Sequence, residues 1–202
     1  MKVLQTICFL CLFSIGCTIP ENIKKGWLES DVSKYPIIID SVEPNNSGVI
    51  SEESFSDSNI DITWNLVCHM KEMNFILKNK TDKTMTIDWN KVVFVNHTKL
   101  SKKVIHTGVK FVKKDELQTP SIIVKDSMLI DSIVPIDNIT FKSEDTLFET
   151  AGWKIIPVLE PYDNNNSLVG KKFKVLLPIA IGDKTVEYLF TFKVTKKEPE
   201  KK

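Results

Sequence analysis

The sequence predicts an all-β protein, an antiparallel β-sandwich of about eight or nine strands. Three observations carry that expectation. From Ile60 onward apolar and polar residues alternate with period two through most of the chain. Clusters of turn-forming residues recur at intervals of roughly 8 to 12 residues. No stretch shows the three-and-four spacing of a helix.

Taken in order, Ile60, Ile62, Trp64, Leu66 and Cys68 share one face of a first strand, with Asp61, Thr63, Asn65 and Val67 on the other. Met73, Phe75 and Leu77 continue the alternation. The polar run Asn79-Lys80-Thr81-Asp82-Lys83 then reads as the turn of a hairpin leading into Met85, Ile87 and Trp89. Val92 to Val95, Val104-Ile105 and Val109 to Val112 supply further strands around Gly108. Ile122 to Val134 is rich in β-branched residues and divides into two strands at a turn over Lys125 to Ser127. Trp153 to Leu159 is a short strand bounded by Gly152 and Pro161, followed by an exposed loop from Asp163 to Ser167. The strongest signal is the last: Phe173, Val175, Leu177, Ile179 and Ile181 alternate up to Gly182-Asp183, and Val186, Tyr188, Phe190, Phe192 and Val194 alternate back. Trp64, Trp89 and Trp153 fall within strand patterns, which makes core packing their default role. These elements place the domain at residues 60–195, before a charged tail at 196–202.

The N-terminal segment has a different character. Lys2 precedes an uncharged, largely apolar run from Val3 to Gly16. A membrane span needs about 20 residues, so this shorter run has the plan of a secretory signal. It ends at Ser14-Ile15-Gly16-Cys17, which resembles the lipobox of bacterial lipoproteins, with Ser14 where that family most often has leucine. The resemblance implies that residues 1–16 are a cleaved signal peptide and that Cys17 is the acylated mature N-terminus. Acyl chains on Cys17 would then tie the protein to a membrane of the bacterial cell envelope, the outer membrane or cell surface rather than the inner membrane. Cleavage there removes Cys8 and Cys11 and leaves Cys17 and Cys68, so the mature chain has no internal disulfide to form. Residues 17–59 are rich in Ser, Asn, Glu, Asp and Pro and read as the lipidated N-terminus and a flexible tether. Tyr35 to Ile39 is the one compact apolar patch in it, either tether or a first strand docked on the domain. Trp27 beside Lys24 and Lys25 suits a membrane interface. The texture of strands and turns resembles the immunoglobulin-like sandwiches of bacterial envelope lipoproteins, without the paired cysteines of antibody-type domains, so the resemblance extends to architecture alone.

Charge narrows the functional classes. The chain has 27 basic and 26 acidic residues, and removing residues 1–16 takes away Lys2 and no acid, leaving 26 against 26. No net field favours nucleic acid. Every basic residue is lysine, which removes the side chain best suited to bidentate phosphate or carboxylate recognition. No Gly-x-Ser-x-Gly elbow, phosphate-cradling loop or closely spaced metal-ligand motif is present. His69, His97 and His106 are the only histidines; His97 and His106 could meet across strands, while the adjacent Cys68 and His69 point to opposite faces of theirs. Asp57, Asp61, Asp82, Asp88, Asp163 and Asp183 are assigned to turns, where they bond to local backbone amides. Five Asn-x-Ser/Thr triplets, at Asn45, Asn79, Asn96, Asn138 and Asn165, are potential glycosylation acceptors in an Asn-rich chain. The expectation is a lipid-anchored envelope protein, not an enzyme and without cofactor or metal, whose sandwich binds an envelope or host protein. The alternative is an assembly accessory of a periplasmic or outer-membrane complex that pairs through an edge strand, and an envelope hydrolase or metal-binding protein comes last.

Overall fold

The computed structural model describes residues 36–45, 47–66, 70–143, 151–159 and 168–196. The signal segment, Cys17, Trp27, the Cys68-His69 pair and the Asp163 to Ser167 loop lie outside the described residues. The protein is all-β and antiparallel, and among the described residues the helical elements are three single 3-10 turns. Among the described residues no helix is long and apolar enough to cross a membrane.

The strands are β1 (Ile37–Glu43), β2 (Val49–Ile50), β3 (Ser54–Ser56), β4 (Ile60–Asn65), β5 (Met73–Asn79), β6 (Met85–Ile87) and β7 (Val93–Val95). They are followed by β8 (Ser101–His106), β9 (Ser121–Ile123), β10 (Met128–Pro135), β11 (Ile139–Lys142), β12 (Gly152–Ile155), β13 (Lys172–Ile181) and β14 (Lys184–Val194). All but β11 and β12 join one continuous sheet, ordered β1-β14-β13-β7-β8-β10-β5-β4-β3-β2, with β6 on the far half of β13 and β9 beyond β6. The sheet folds over at β8. Residues Ser101 to Lys103 pair with β7, and Val104 to His106 pair with β10, so one strand serves both layers. On the opposite side Ile39 N–H donates to Glu52 O at 2.8 Å, bringing β1 against the loop between β2 and β3. The result is a nearly closed, barrel-like wrap.

The alternating side chains fill its interior. Trp64 lies 5.0 Å from Phe75, 5.4 Å from Phe190 and 5.2 Å from Phe192 between ring centroids, and Phe55 meets Tyr188 and Phe190 edge-on. Gly48 is required by this packing, because a Cβ there would stand 2.3 Å from the Phe55 ring. Tyr188 is fully buried, and its hydroxyl donates to Asp57 Oδ2 at 2.8 Å while accepting from Asn59 Nδ2 at 3.1 Å. Burial raises the Tyr188 pKa, and the Asp57 carboxylate raises it further.

Several expectations are corrected. The stretch assigned to a tether, 17–59, contains β1, β2 and β3, and Ile37 to Glu43 pair along β14 from Val194 to Leu189. The compact unit is counted from Ser33, not residue 60. The physical reason is long-range: Ile37, Ile39 and Val42 bury against the last strand of the chain, a pairing no local pattern reveals. Met73 to Trp89 is not a hairpin. β5 pairs with β4 and β10 and β6 with β13 and β9, so the turn at Asn79 carries the chain from one layer to the other. Asn79 holds that crossing, its buried Nδ2 donating to the carbonyls of Lys83, Ile123 and Val124 and its Oδ1 accepting from Thr81. Val109 to Val112 is a loop running into a 3-10 turn at Phe111–Lys113. Asp61 lies within β4, while Asp57 and Asp88 bond to local backbone amides as expected.

A truncation follows from the boundary. Each of Ile37, Ile39 and Val42 contributes about 2 kcal/mol by burial, together close to the whole stability of a typical domain. A chain starting at Ile60 is expected to be unfolded by circular dichroism, and one starting at Ser33 to melt cooperatively. Equal melting of the two would overturn the role of β1.

Candidate functional site

The candidate surface is built on the two-stranded sheet of β11 and β12, which packs outside the main sheet. Ile105 and Val134 point outward from β8 and β10 and form a second apolar cluster with Ile139, flanked by Val109, Phe111, Ile136 and Ile155. Ile139 pairs with Ile155 at the base of the small sheet, and Phe141 with Trp153 nearer its tip. In an antiparallel pair these four residues share one face. Its base is buried on the main sheet, and its outer part overhangs. Phe141 is therefore 58% exposed and Trp153 40% exposed. The two rings meet edge-on at 5.4 Å, and Phe111 closes on Trp153 from the loop side at 6.4 Å. Trp153 is thus not a core residue, contrary to its strand pattern, because the element bearing it reaches past the support beneath it.

The loop after β8 extends this surface. Val112 and Leu117 are largely solvent-exposed, and a shallow cleft of about 290 Å³ lies between Gly108, Val109, Lys110, Lys113, Leu117 and Thr119. Lys113 pairs with Glu116 at 3.1 Å at its rim. The exposed aromatic pair and the apolar side chains of this loop form a solvent-facing apolar patch bordered by lysines, the kind of surface that marks an interaction site.

A polar cluster lies at the neighbouring seam, where β8 leaves β10. The His106 ring stacks on Trp89 at 4.3 Å with 7° between planes, and its Nδ1 is 3.1 Å from Asp131 Oδ2. Thr107 N–H and Ser132 N–H donate to Asp131 Oδ1 at 2.9 and 2.7 Å. Gln118 clamps the strand end, accepting from His106 N–H and donating to Val104 O. Trp89 Nε1 donates to Ser121 Oγ. Burial raises the Asp131 carboxyl, but bonds from His106, Thr107 and Ser132 outweigh it and hold the group below its ordinary value. The Thr107 and Ser132 hydroxyls bond to each other, and Ser121 is taken by Trp89, so the cluster reads as a fastening for the seam.

This arrangement predicts a pH signature. Asp131→Ala is expected to cost about 2 to 4 kcal/mol at neutral pH, because it strands buried donors. With a folded pKa below the unfolded one, the carboxylate stabilises fully above its ordinary pKa, and that contribution is lost as pH falls through the folded value. Melting temperatures of parent and variant should therefore converge in acid. A gap that is constant with pH would refute the charged role of Asp131.

His97 lies in the turn before β8 and His106 at that strand's far end, so the two are not brought together. Among the described residues no group of three or more His, Cys, Asp or Glu is placed to hold a metal ion. The side-chain amides of Asn79 and Asn138 are engaged with backbone carbonyls, which removes those two sequons as acceptors in the folded protein. The aromatic overhang carried no distinguishing sequence signal, since Phe141 and Trp153 follow the same alternation as core residues. Asp131 did carry one, because it stands in phase with the inward-facing Leu129 and Ile133. Comparison with protein family models, curated proteins and solved structures finds no match to the chain.

Proposed function

We propose that the chain is a lipid-anchored protein of a bacterial cell envelope, held by acyl chains on Cys17, whose all-β domain binds an envelope or host protein. On this reading the two layers form an immunoglobulin-like sandwich joined through β8, and the partner seats on the overhang of β11 and β12. The anchor rests on the apolar run that ends at Gly16-Cys17. The binding role is carried by the solvent-facing Phe141–Trp153 pair, a contact whose truncation in a protein interface costs about 2 kcal/mol or more, or roughly thirtyfold in affinity.

Photo-crosslinking from position 113, at the cleft rim, on intact cells is the test. A defined crosslinked partner is expected, and the double variant Phe141→Ala, Trp153→Ala should weaken its capture by about thirtyfold or more while the domain still melts cooperatively. Unchanged capture would reject the aromatic surface.

A second reading, an assembly accessory that pairs through a strand edge, is favoured by β9. It pairs with β6 alone among the described strands, and its central Ile122 is 69% exposed. Ile122→Lys would then abolish capture where the aromatic variant leaves it intact.

A further inference from the structure

We infer that the outer face of the β13–β14 layer, at the end where the chain enters the domain, docks on an anionic lipid surface. The inference rests on the lipid-anchored reading of Cys17. Inward-facing Phe173, Val175, Phe190 and Phe192 are fully buried, so their alternates in the same strands face outward. Three of those six outward positions, Lys172, Lys174 and Lys193, are lysines, the others being Leu176, Leu189 and Thr191. Lys172 stands directly opposite Lys193 across β13 and β14, and Lys174 follows two residues along, paired with Val95 of β7 on its other side. Lys103 of β8 stands opposite Val93 in the next strand pair. Like charges placed directly opposite each other cost stability in a sheet, so folding does not account for them.

One acid tempers the cluster, Asp40 at 2.6 Å from Lys172; the neighbouring Lys102, opposite the inward-facing Phe94, pairs with Asp137 at 3.2 Å. Lys103, Lys174 and Lys193 make no ion pair within the described residues. Glu43 and Glu187 lie on the same face but toward its other end, opposite Leu189 and Pro178. Half-buried Ile38, Val93, Val95, Leu176 and Leu189 lie between the charges. In the adjoining turn Lys99 precedes Leu100, which is 60% exposed.

The position of the chain entry selects the occupant. Ile37 pairs with Val194, and Thr195 N–H donates to Pro36 O at 2.7 Å, so Pro36 enters beside Lys193 and Lys196. Residues 18–35 separate Cys17 from Pro36, and fully extended they reach about 60 Å at most. An acyl-anchored Cys17 therefore puts the lipid within reach of this lysine-bearing end, the end from which the tether leaves the domain. There each lysine adds about fivefold to surface partitioning. Such docking leaves the aromatic overhang, on the other layer, available to a partner.

The test uses the mature chain, residues 17–202, with Cys17→Ser, so that acylation plays no part in the readout. Co-sedimentation is measured with zwitterionic phosphatidylcholine vesicles and with vesicles that also contain phosphatidylglycerol. Binding to the anionic vesicles alone is expected, with loss between about 0.05 M and about 0.5 M salt. The quadruple variant Lys103→Gln, Lys172→Gln, Lys174→Gln, Lys193→Gln should lower partitioning by about a hundredfold or more. Lys125→Gln with Lys184→Gln, at the opposite end of the domain, should leave it unchanged. Equal binding to both vesicle types, or an equal loss in the two sets of variants, overturns the inference. Absence of binding also overturns it, and leaves the face to an acidic protein. Failure of the anchor itself would show separately, as an unmodified Cys17 in the intact mass of the membrane-extracted protein.

Discussion

Phe190→Asp is expected to leave the protein unfolded at room temperature. Phe190 is completely buried in β14, between Val42 of β1 and Val175 of β13, and its ring lies within about 6 Å of those of Phe55, Trp64, Tyr188 and Phe192. Deleting such a ring costs about 3 to 5 kcal/mol. The replacement carboxylate finds no cation in this aromatic cluster, so it must be desolvated or protonated at a further cost of several kcal/mol. Together these are comparable to the roughly 5 to 15 kcal/mol that holds a domain of this size. Phe190→Leu, which keeps the site apolar, is expected to fold and melt some degrees lower. Far-ultraviolet circular dichroism and thermal melts separate the cases, and a Phe190→Asp protein that melts like the parent would remove Phe190 from the core.

Cys17→Ala, secreted behind a replacement signal, is expected to move the protein from the membrane to the aqueous fraction with its β structure intact. On the proposed anchor, each buried acyl methylene contributes about 0.8 kcal/mol, so attachment would belong to the acyl chains and not to the folded domain. Folding is expected of the residues from Ser33 on, whose core fills the interior of the wrapped sheet. The parent should show loss of residues 1–16 plus acyl mass at Cys17. Finding Met1 or a bare thiol would refute the anchor, and an unfolded Cys17→Ala protein would refute the independence of anchor and domain.

The parts of the fold that could be read in advance share a physical cause. β13 and β14 are joined by two residues, Gly182 at φ +57° and Asp183, so their pairing costs little loop-closure entropy and their alternation shows which face is buried. β4, β5, β9 and β10 were legible from their alternation and from turn residues such as Asp126, at φ 57° between the last two, although β9 and β10 pair with other strands and not with each other. What could not be read depends on contacts between distant segments. β1 is a strand because β14 supplies its partner. The turn after β5 is a crossing because the Asn79 side chain finds carbonyls near Val124.

The candidate surfaces divide in the same way. Period-two alternation determines which residues of a strand share a face, and that much follows from the chain alone. Whether a face meets a core or solvent depends on what packs beneath it, which is why Trp64 is buried and Trp153 is not. Charge shows the separation most clearly. The composition is nearly neutral, 27 basic against 26 acidic residues, and no run of sequence marks Lys103, Lys172, Lys174 and Lys193 as companions. Strand register sets them on one face, because hydrogen bonds align backbones irrespective of side-chain charge, and a balance taken over the chain says nothing of how its charges are distributed in space.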